Sequence, residues 1–346
     1  MDRKTRSAAE NGSRRTRRPT VFDVVQMTGF SRGTVSRAFS NSESISPATR
    51  SKILEAAERI GYRPHAGARL LKADRAGKWG MLVSSLADPA TAKLFEALEL
   101  EAFRMGTSVQ VGCFRENPKY VDMLAGSWFA GEIDGLILAE GAWSPKLLSQ
   151  IESRDLPIVF VGSRPDERHD VLIFDSSQAV RQVLRNLEML GHERIAYVGD
   201  SAELSLSVGC QVWKDWLAAR GKADQEGSLL IPSSGRDPGV NAWAALRDPR
   251  VRATAVLADS DLIACGIAHC ARAEGLHIPR DLSLVGSGDI DEGRRLGLTT
   301  ARPELATAAS LVLRRLEERR AGGTPAASIL KAESKLIVRD SVGRKP

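Results

Sequence analysis

Residues 21–40 read VFDVVQMTGFSRGTVSRAFS, and the N-terminal region is best understood outward from this stretch. Thr20 can cap a short helix that begins at Val21, and Asp23, three residues on, completes a box-like start. Gly29, within Thr28-Gly29-Phe30, breaks that helix by supplying a turn conformation that costs other residues more. Ser31 caps a second short helix running to Phe39. Ser46-Pro47 opens a third with a cap and a first-turn proline. That helix carries Ile53, Leu54, Ala57 and Ile60 at helical spacing until Gly61 ends it. Three short helices, the first two joined by a tight glycine turn, form a helix-turn-helix pattern. In the second, Val35, Ala38 and Phe39 make the inward stripe, while Ser31, Arg32, Gly33, Thr34, Ser36 and Arg37 leave the other side free of large apolar groups. Hydroxyl and guanidinium groups on such a face can reach phosphates and base edges in a major groove.

The charge distribution points the same way. Residues 1–78 hold 17 Lys and Arg against 7 Asp and Glu, whereas the other 268 residues hold 32 against 36. A small basic head on a larger, mildly acidic body suits a polyanionic partner. Residues 1–18, with six Arg and one Lys among small polar residues and no apolar periodicity, read as a disordered basic arm.

Beyond Trp79 the texture changes to short apolar runs alternating with helical patterns. The runs are 80–83, 109–111, 136–138, 158–161, 172–174, 195–198, 229–231, 255–257 and 282–285. Periodic segments at 93–103, 178–190, 213–220 and 262–273 lie between them. This alternation predicts doubly wound parallel sheets, and nine or more strands fit two lobes better than one. The cleft between two such lobes is the expected ligand site. At 346 residues, 42% hydrophobic, the chain is long enough for such cores. No apolar run approaches a membrane span and no secretory h-region opens the sequence. Four scattered cysteines give no disulfide framework, so a cytoplasmic protein without a membrane association is expected.

The 21–40 stretch, followed by Ile45-Ser46-Pro47-Ala48-Thr49-Arg50, then Gly61-Tyr62-x-Pro64 and Ala68-Arg69-x-Leu71, closely resembles the DNA-binding head of the lactose/galactose repressor (LacI/GalR) family. Leu190-Gly191-His192-x-Arg194-Ile195-Ala196, Asp259-Ser260-Asp261-Leu262-Ile263-Ala264-Cys265-Gly266, and Ile278-Pro279-x-Asp281-Leu282-Ser283-Leu284-Val285-Gly286 look like that family's effector-binding core. So does Leu298-Thr299-Thr300 followed by Arg302-Pro303. The resemblance covers residue 19 to about residue 340. It implies an α/β protein with an all-α helix-turn-helix head (19–64), a hinge (65–78) and a two-lobed, periplasmic-binding-protein-like body for effector binding and dimerisation (79–346). It implies a transcriptional regulator, most often a repressor, bound as a homodimer to a pseudo-palindromic double-stranded operator and modulated by a small molecule. On this chain the DNA-contacting positions implied are Thr20, Ser31, Arg32, Gly33, Thr34, Ser36, Arg37, Tyr62, His65, Ala68, Leu71 and Lys72. Arg32 and Gly33 fall on the two main base-reading positions, and only the arginine can make a bidentate contact to guanine. Leu71 matches the leucine wedged into the central base step. Gly67 weakens helix formation in the hinge, so the hinge is expected to fold on DNA. The sequence shows no leucine-heptad tail, which favours a dimer over a tetramer.

In the body, the family pattern points to Ser84, Asp175, Gly209, Trp213, Ser260, Asp261 and Gly288 as effector-binding positions. The sequence departs from that pattern in several places. Gly209 stands where an arginine is usual, Ala139 replaces a commonly polar residue, and Gly286-Ser287-Gly288-Asp289 replaces a Gly-aromatic-Asp-Asp run. Either the effector differs from an ordinary sugar, being smaller or less polar, or there is none.

Other constellations carry less. Cys265 and His269 are spaced i, i+4 on a helix beside Cys270, but a structural zinc site wants four ligands. His192 follows a helix, where a cation suits the dipole. Asp261 reads as a helix cap rather than as half of an acid/base pair with Asp259. With no Gly-x4-Gly-Lys loop and no HExxH, neither an enzyme nor a metal or cofactor is expected. A free-standing solute-binding module is the alternative class, and the helix-turn-helix argues against it.

Overall fold

The computed structural model describes residues 19–39, 44–62, 76–113, 126, 128–139, 144–162, 167–199, 207–225, 229–233, 237–323 and 326–346. The arm (1–18) and most of the hinge, including His65, Ala68, Leu71 and Lys72, lie outside them. The chain divides into two compact units at Ala76/Gly77.

The first unit contains α1 (Val21–Thr28), α2 (Arg32–Phe39) and α3 (Pro47–Arg59). The Thr20 backbone N–H and hydroxyl both donate to Asp23 Oδ2, at 2.6 and 2.7 Å, which fixes the first turn of α1. Gly29 takes φ 71° and donates to the Val25 carbonyl at 2.9 Å, a left-handed stop that only glycine adopts without strain. Ser31 and Ser46 accept from the backbone N–H of Thr34 and Thr49 at 3.1 and 3.2 Å, capping α2 and α3. The enclosed core is Val24, Val35, Ala38, Ile53 and Ala57, with Phe39 and Tyr62 meeting edge to face at 5.7 Å. Leu54, placed on the buried stripe by spacing, is instead 41% exposed, and Ala56 takes its place inside.

The second unit is two doubly wound lobes. The first lobe has β1 (Lys78–Val83), α4 (Pro89–Arg104), β2 (Ser108–Cys113), β3 (Leu136–Ala139), α5 (Pro145–Glu152), β4 (Ile158–Val161) and β5 (Asp170–Asp175). The second has α6 (Ser177–Met189), β6 (Ile195–Gly199), α7 (Val208–Ala218), β7 (Leu230–Pro232), α8 (Pro238–Leu246), β8 (Ala255–Ala258), α9 (Asp261–Ala273), β9 (Ser283–Ser287), α10 (Asp291–Arg295) and β10 (Thr299–Pro303). The chain then returns to the first lobe as α11 (Leu305–Arg320), which packs Ala308, Val312, Leu313 and Leu316 against β1, β3 and β4. With β11 at Ile329–Ile337, the strand order is β2-β1-β3-β4-β5-β11-β10-β9-β8-β6-β7.

β11 (Ile329–Ile337) belongs to both lobes. Its residues 329–333 run parallel to β5, and residues 334–337 run antiparallel to β10. Together with the links after β5 and after β10, this makes three crossings between lobes. Neither β10 nor β11 stood among the apolar runs read from the sequence, because Thr299-Thr300 buries hydroxyls and β11 alternates exposed Lys and Glu with small or apolar residues. The lobes are cemented differently. Asp170 and Arg315, nearly fully buried, pair at 2.8 Å, with Arg319 on the other carboxylate oxygen at 2.9 Å and the Ser328 N–H at 2.8 Å. In the second lobe, Gly239 on α8 meets Gly266 on α9 so closely that a Cβ on Gly239 would lie 2.5 Å from the Gly266 Cα.

His192 is structural, for a different reason from a charged helix end. It is buried, with Nδ1 2.9 Å from Thr254 Oγ1 and Nε2 2.9 Å from the Gly343 carbonyl, so it pins the C-terminal segment. Among the described residues no helix is long and apolar enough to cross a membrane, and no group of His, Cys, Asp and Glu could hold a metal ion.

Candidate DNA interface and ligand cleft

On the head, α2 buries Val35 and Ala38 and presents Ser31, Arg32, Gly33 and Arg37 exposed, with Thr34 and Ser36 at the margin. Six of the residues picked out from the sequence therefore share one accessible helix. The Arg32 guanidinium rests over the exposed Phe22 ring at 5.4 Å from its centroid, which restricts a side chain that would otherwise lose much rotamer freedom on binding. A Cβ on Gly33 would stand 3.8 Å from Arg37 Nη2 and 3.8 Å from Ser31 Oγ, so the glycine leaves an open notch flanked by hydrogen-bond donors. Ser31 and Thr34 join their hydroxyls at 2.9 Å. Thr20 is committed to capping α1, and Tyr62 packs at the edge of the core.

Between the lobes of the body lies a cleft of about 480 Å³. Met81, Leu94, Val161, Ile173 and Phe174 of the first lobe form an apolar wall, interrupted by Ser84, Asp88 and Lys93. The second lobe contributes Ser207, Val208, Asp259, Ser260, Ser287 and Gly288. Three of the seven residues implied by resemblance, Ser84, Ser260 and Gly288, thus line the cleft, together with Ala139.

The other four do not. Trp213 is fully buried in the second lobe's core and donates its indole N–H to the Ile195 carbonyl at 2.8 Å. Asp261 is buried as well, but does not cap α9; that is done by Ser260, whose hydroxyl accepts from the Ile263 N–H at 3.2 Å. Asp261 instead takes the Thr300 hydroxyl at 2.7 Å and the Ile290 N–H at 2.9 Å, in a cradle closed by Gly286 and Gly293. Burial raises the Asp261 carboxyl above its ordinary range against those two bonds. Asp175 turns to the Ser177 N–H at 3.0 Å, and hydrogen bonds from Ser177 hold its carboxyl low. Gly209 lies under Tyr197, whose hydroxyl would be 2.6 Å from a Cβ there. That position is closed to any larger side chain while Tyr197 keeps its place.

Sequence reasoning passed over Asp88, Lys93, Ser207 and Tyr197, and took Asp259 only as half of a catalytic pair. The Asp88-Pro89 pair was a legible helix start. Asp88 caps α4, accepting from the N–H groups of Ala90 and Thr91 at 3.2 and 3.0 Å. From α4, Lys93 reaches across the cleft to the Asp289 carbonyl at 2.8 Å and the Asp291 carboxylate at 3.1 Å. Asp289 itself is buried, with φ 52°, and is held by Arg294 at 3.1 Å and Arg339 at 2.5 Å. Burial pushes its carboxyl up, and the bonds from Arg294 and Arg339 more than reverse this, leaving it below the ordinary value. Asp259 accepts from the Tyr197 hydroxyl at 2.5 Å and the Ser207 hydroxyl at 2.8 Å, both on Oδ1. Burial pushes the Asp259 carboxyl up, and burial followed by Asp259 pushes the Tyr197 phenol up.

A helix-turn-helix unit with an accessible polar recognition helix, followed by a two-lobed body of alternating strands and helices, defines a DNA-binding transcriptional regulator. The family model described as bacterial regulatory proteins, lacI family, matches residues 20–65, and that of the periplasmic binding protein-like domain matches residues 184–342. The HTH-type transcriptional regulator CelR of Thermobifida fusca is 29% identical over 345 residues, covering 94% of this chain and 99% of that protein. Catabolite control protein A of Priestia megaterium is 26% identical over 291 residues, covering 83% of this chain and 86% of that one. Among solved structures, a CelR–cellobiose complex aligns with TM-score 0.69 at 26% identity, over 94% of this chain and all of that one. The lac repressor dimer bound to operator shares the fold, with TM-score 0.79 at 22% identity over the same shares. The chain belongs to the LacI family of bacterial regulatory proteins, and the relatives it matches are transcriptional regulators rather than enzymes.

Proposed function

We propose that this regulator is a sequence-specific repressor, binding a pseudo-palindromic operator as a homodimer in the cytoplasm, with affinity set by a small molecule in the inter-lobe cleft. The observation that carries this reading is α2, whose outer face offers Arg32 and Arg37 beside the notch at Gly33. Thr20, Ser31, Thr34, Ser36 and Tyr62 supply or position phosphate contacts. His65, Ala68, Leu71 and Lys72, outside the described residues, are assigned to the hinge in the minor groove, with Leu71 as the wedge. Two heads on one palindrome multiply a modest single-head affinity by linkage.

Ligand-bound relatives such as the CelR–cellobiose complex support a small-molecule effector, and Ser84, Ser260 and Gly288 are its candidate contacts. Selection of bound duplexes from random DNA by the full-length protein at moderate salt tests the reading. A recovered palindrome with one strongly specified base per half-site opposite Arg32 is the expected outcome. Recovery of only unspecific DNA, with affinity unaffected by mutation of Arg32, overturns it. Binding should weaken steeply with salt, since each phosphate neutralised releases counterions.

A further inference from the structure

We propose that Asp259 is the specificity-determining residue of the cleft and that it selects an effector bearing a cationic nitrogen, a protonated amine or an amidine. The proposal rests on the cleft being an effector site and names the chemistry of what enters it.

Asp259 sits at the end of β8, at the floor of the cleft on the second lobe. Both hydroxyls that donate to it, from Tyr197 and Ser207, converge on Oδ1. Among the described residues no group donates to Oδ2, and the residue lines the cleft. The carboxyl is therefore anchored through one oxygen and leaves the other as an acceptor at the ligand space. The anchoring is rigid at both ends. Tyr197 is buried on β6, where it packs at 5.9 Å on Trp213, and Ser207 caps α7 through the Cys210 N–H at 3.2 Å. An acceptor fixed in this way is suited to recognition, because little ordering remains to be done when a ligand arrives.

The sign of the charge follows from what surrounds it. Among the described residues nothing cationic acts on Asp259; burial and the two hydroxyls account for its state. A buried carboxylate without a cationic partner is costly, and a ligand cation supplies the missing partner. The one described cation lining the cleft, Lys93, is already engaged with Asp289 and Asp291. Asp88, the other described acid on the wall, has both oxygens occupied by the start of α4. At Gly209 the Tyr197 hydroxyl excludes any side chain that could bring a positive charge to the floor. An anionic ligand group would meet Asp259 with nothing to offset it, and a neutral hydroxyl would leave the carboxylate uncompensated. The remaining surface, Ser84, Ser260 and Ser287 opposite Met81, Val161 and Phe174, accommodates a body of hydroxyls and carbon around that nitrogen.

The test uses the full chain and matched pairs of small molecules differing only at one nitrogen. Glucosamine with glucose, galactosamine with galactose, and benzamidine with benzamide are suitable, with gluconate and sugar phosphates as anionic members. Thermal melting finds binders and calorimetry ranks them. The expected result is an amine or amidine that binds at least tenfold more tightly than its neutral twin, with that preference lost in Asp259→Asn. Equal binding of twins, or tighter binding of neutral or anionic members, overturns the assignment while leaving the cleft as an effector site. Binding by no member of any class removes both. The matched pairs give the answer on the natural chain even if Asp259→Asn fails to fold.

Discussion

On the outer face of α2 and its cap, Ser31, Arg32 and Arg37 are exposed, and the helix is held by buried Val35 and Ala38 with Phe39 packed beside them. In the body, other polar and charged residues, Asp170, Asp261, Asp289 and Arg315, are buried and bonded on nearly every polar atom. The first set lies on the surface of the head, where a partner can reach it. The second is consumed by the fold, so its removal shows up as stability before it shows up as function. The difference teaches that polar residue type says little about role until burial is known.

The sharpest attempt to break this contrast is Asp170→Asn. Uncoupling Asp170 from Arg315 and Arg319 leaves a buried guanidinium without its counter-charge, and a loss of about 3–5 kcal/mol at pH 7 is expected in denaturant unfolding. Burial raises the Asp170 carboxyl, but the hydrogen bonds from Arg315, Arg319 and Ser328 outweigh this and leave it lowered. A lowered folded-state pKa means that the stability it confers is present above the ordinary carboxylate value near 4 and is lost as pH falls below it. The natural chain should therefore lose stability on that acid limb, and Asp170→Asn should show a shallower loss.

Next in size is Gly286→Ala. Its Cβ would meet Asp261 Oδ1 and expel a carboxylate from Thr300 and Ile290, costing about 3 kcal/mol in the same assay. Asp259→Asn should differ in sign from Asp170→Asn. The Asp259 carboxyl is raised by burial, so ionising it as pH rises from about 4 costs the ligand-free fold stability. The amide should therefore be as stable as the natural chain or more so at pH 7, and an unfolding curve showing a loss of several kcal/mol, on the order of a buried pair's rupture, would refute the uncompensated-charge account.

The exposed set should behave in the opposite manner. Arg32→Ala is expected to leave thermal unfolding of the head unchanged while weakening binding to the selected duplex by about 1–3 kcal/mol, with specificity relaxed at one base. The smallest effect is expected for Lys93→Met, a partly exposed bridge whose loss should shift stability by no more than about 1 kcal/mol.

The head was legible almost residue by residue, because each cap, glycine and proline acts within a few positions of itself: Thr20 with Asp23, Gly29 with Val25, Ser46 with Thr49. The body was legible in its strands where they were buried on both faces, and not in β10 and β11, whose hydroxyls and charges hide the apolar signal. In the cleft, position along the chain put Ser84, Ser260 and Gly288 on the wall. It misplaced Trp213 and Asp261, since one turn of helix separates a residue facing the ligand from one facing the core. Tyr197 and Asp259 are 62 positions apart, and no local pattern announces that their side chains meet.

β11 has a mechanical consequence. A single strand whose two halves are stitched to different lobes acts as a torsion bar, so any turning of one lobe against the other must wind it between Glu333 and Ser334. Ser334 also lines the cleft, so the point where the shaft passes from one lobe to the other is itself part of the cleft wall.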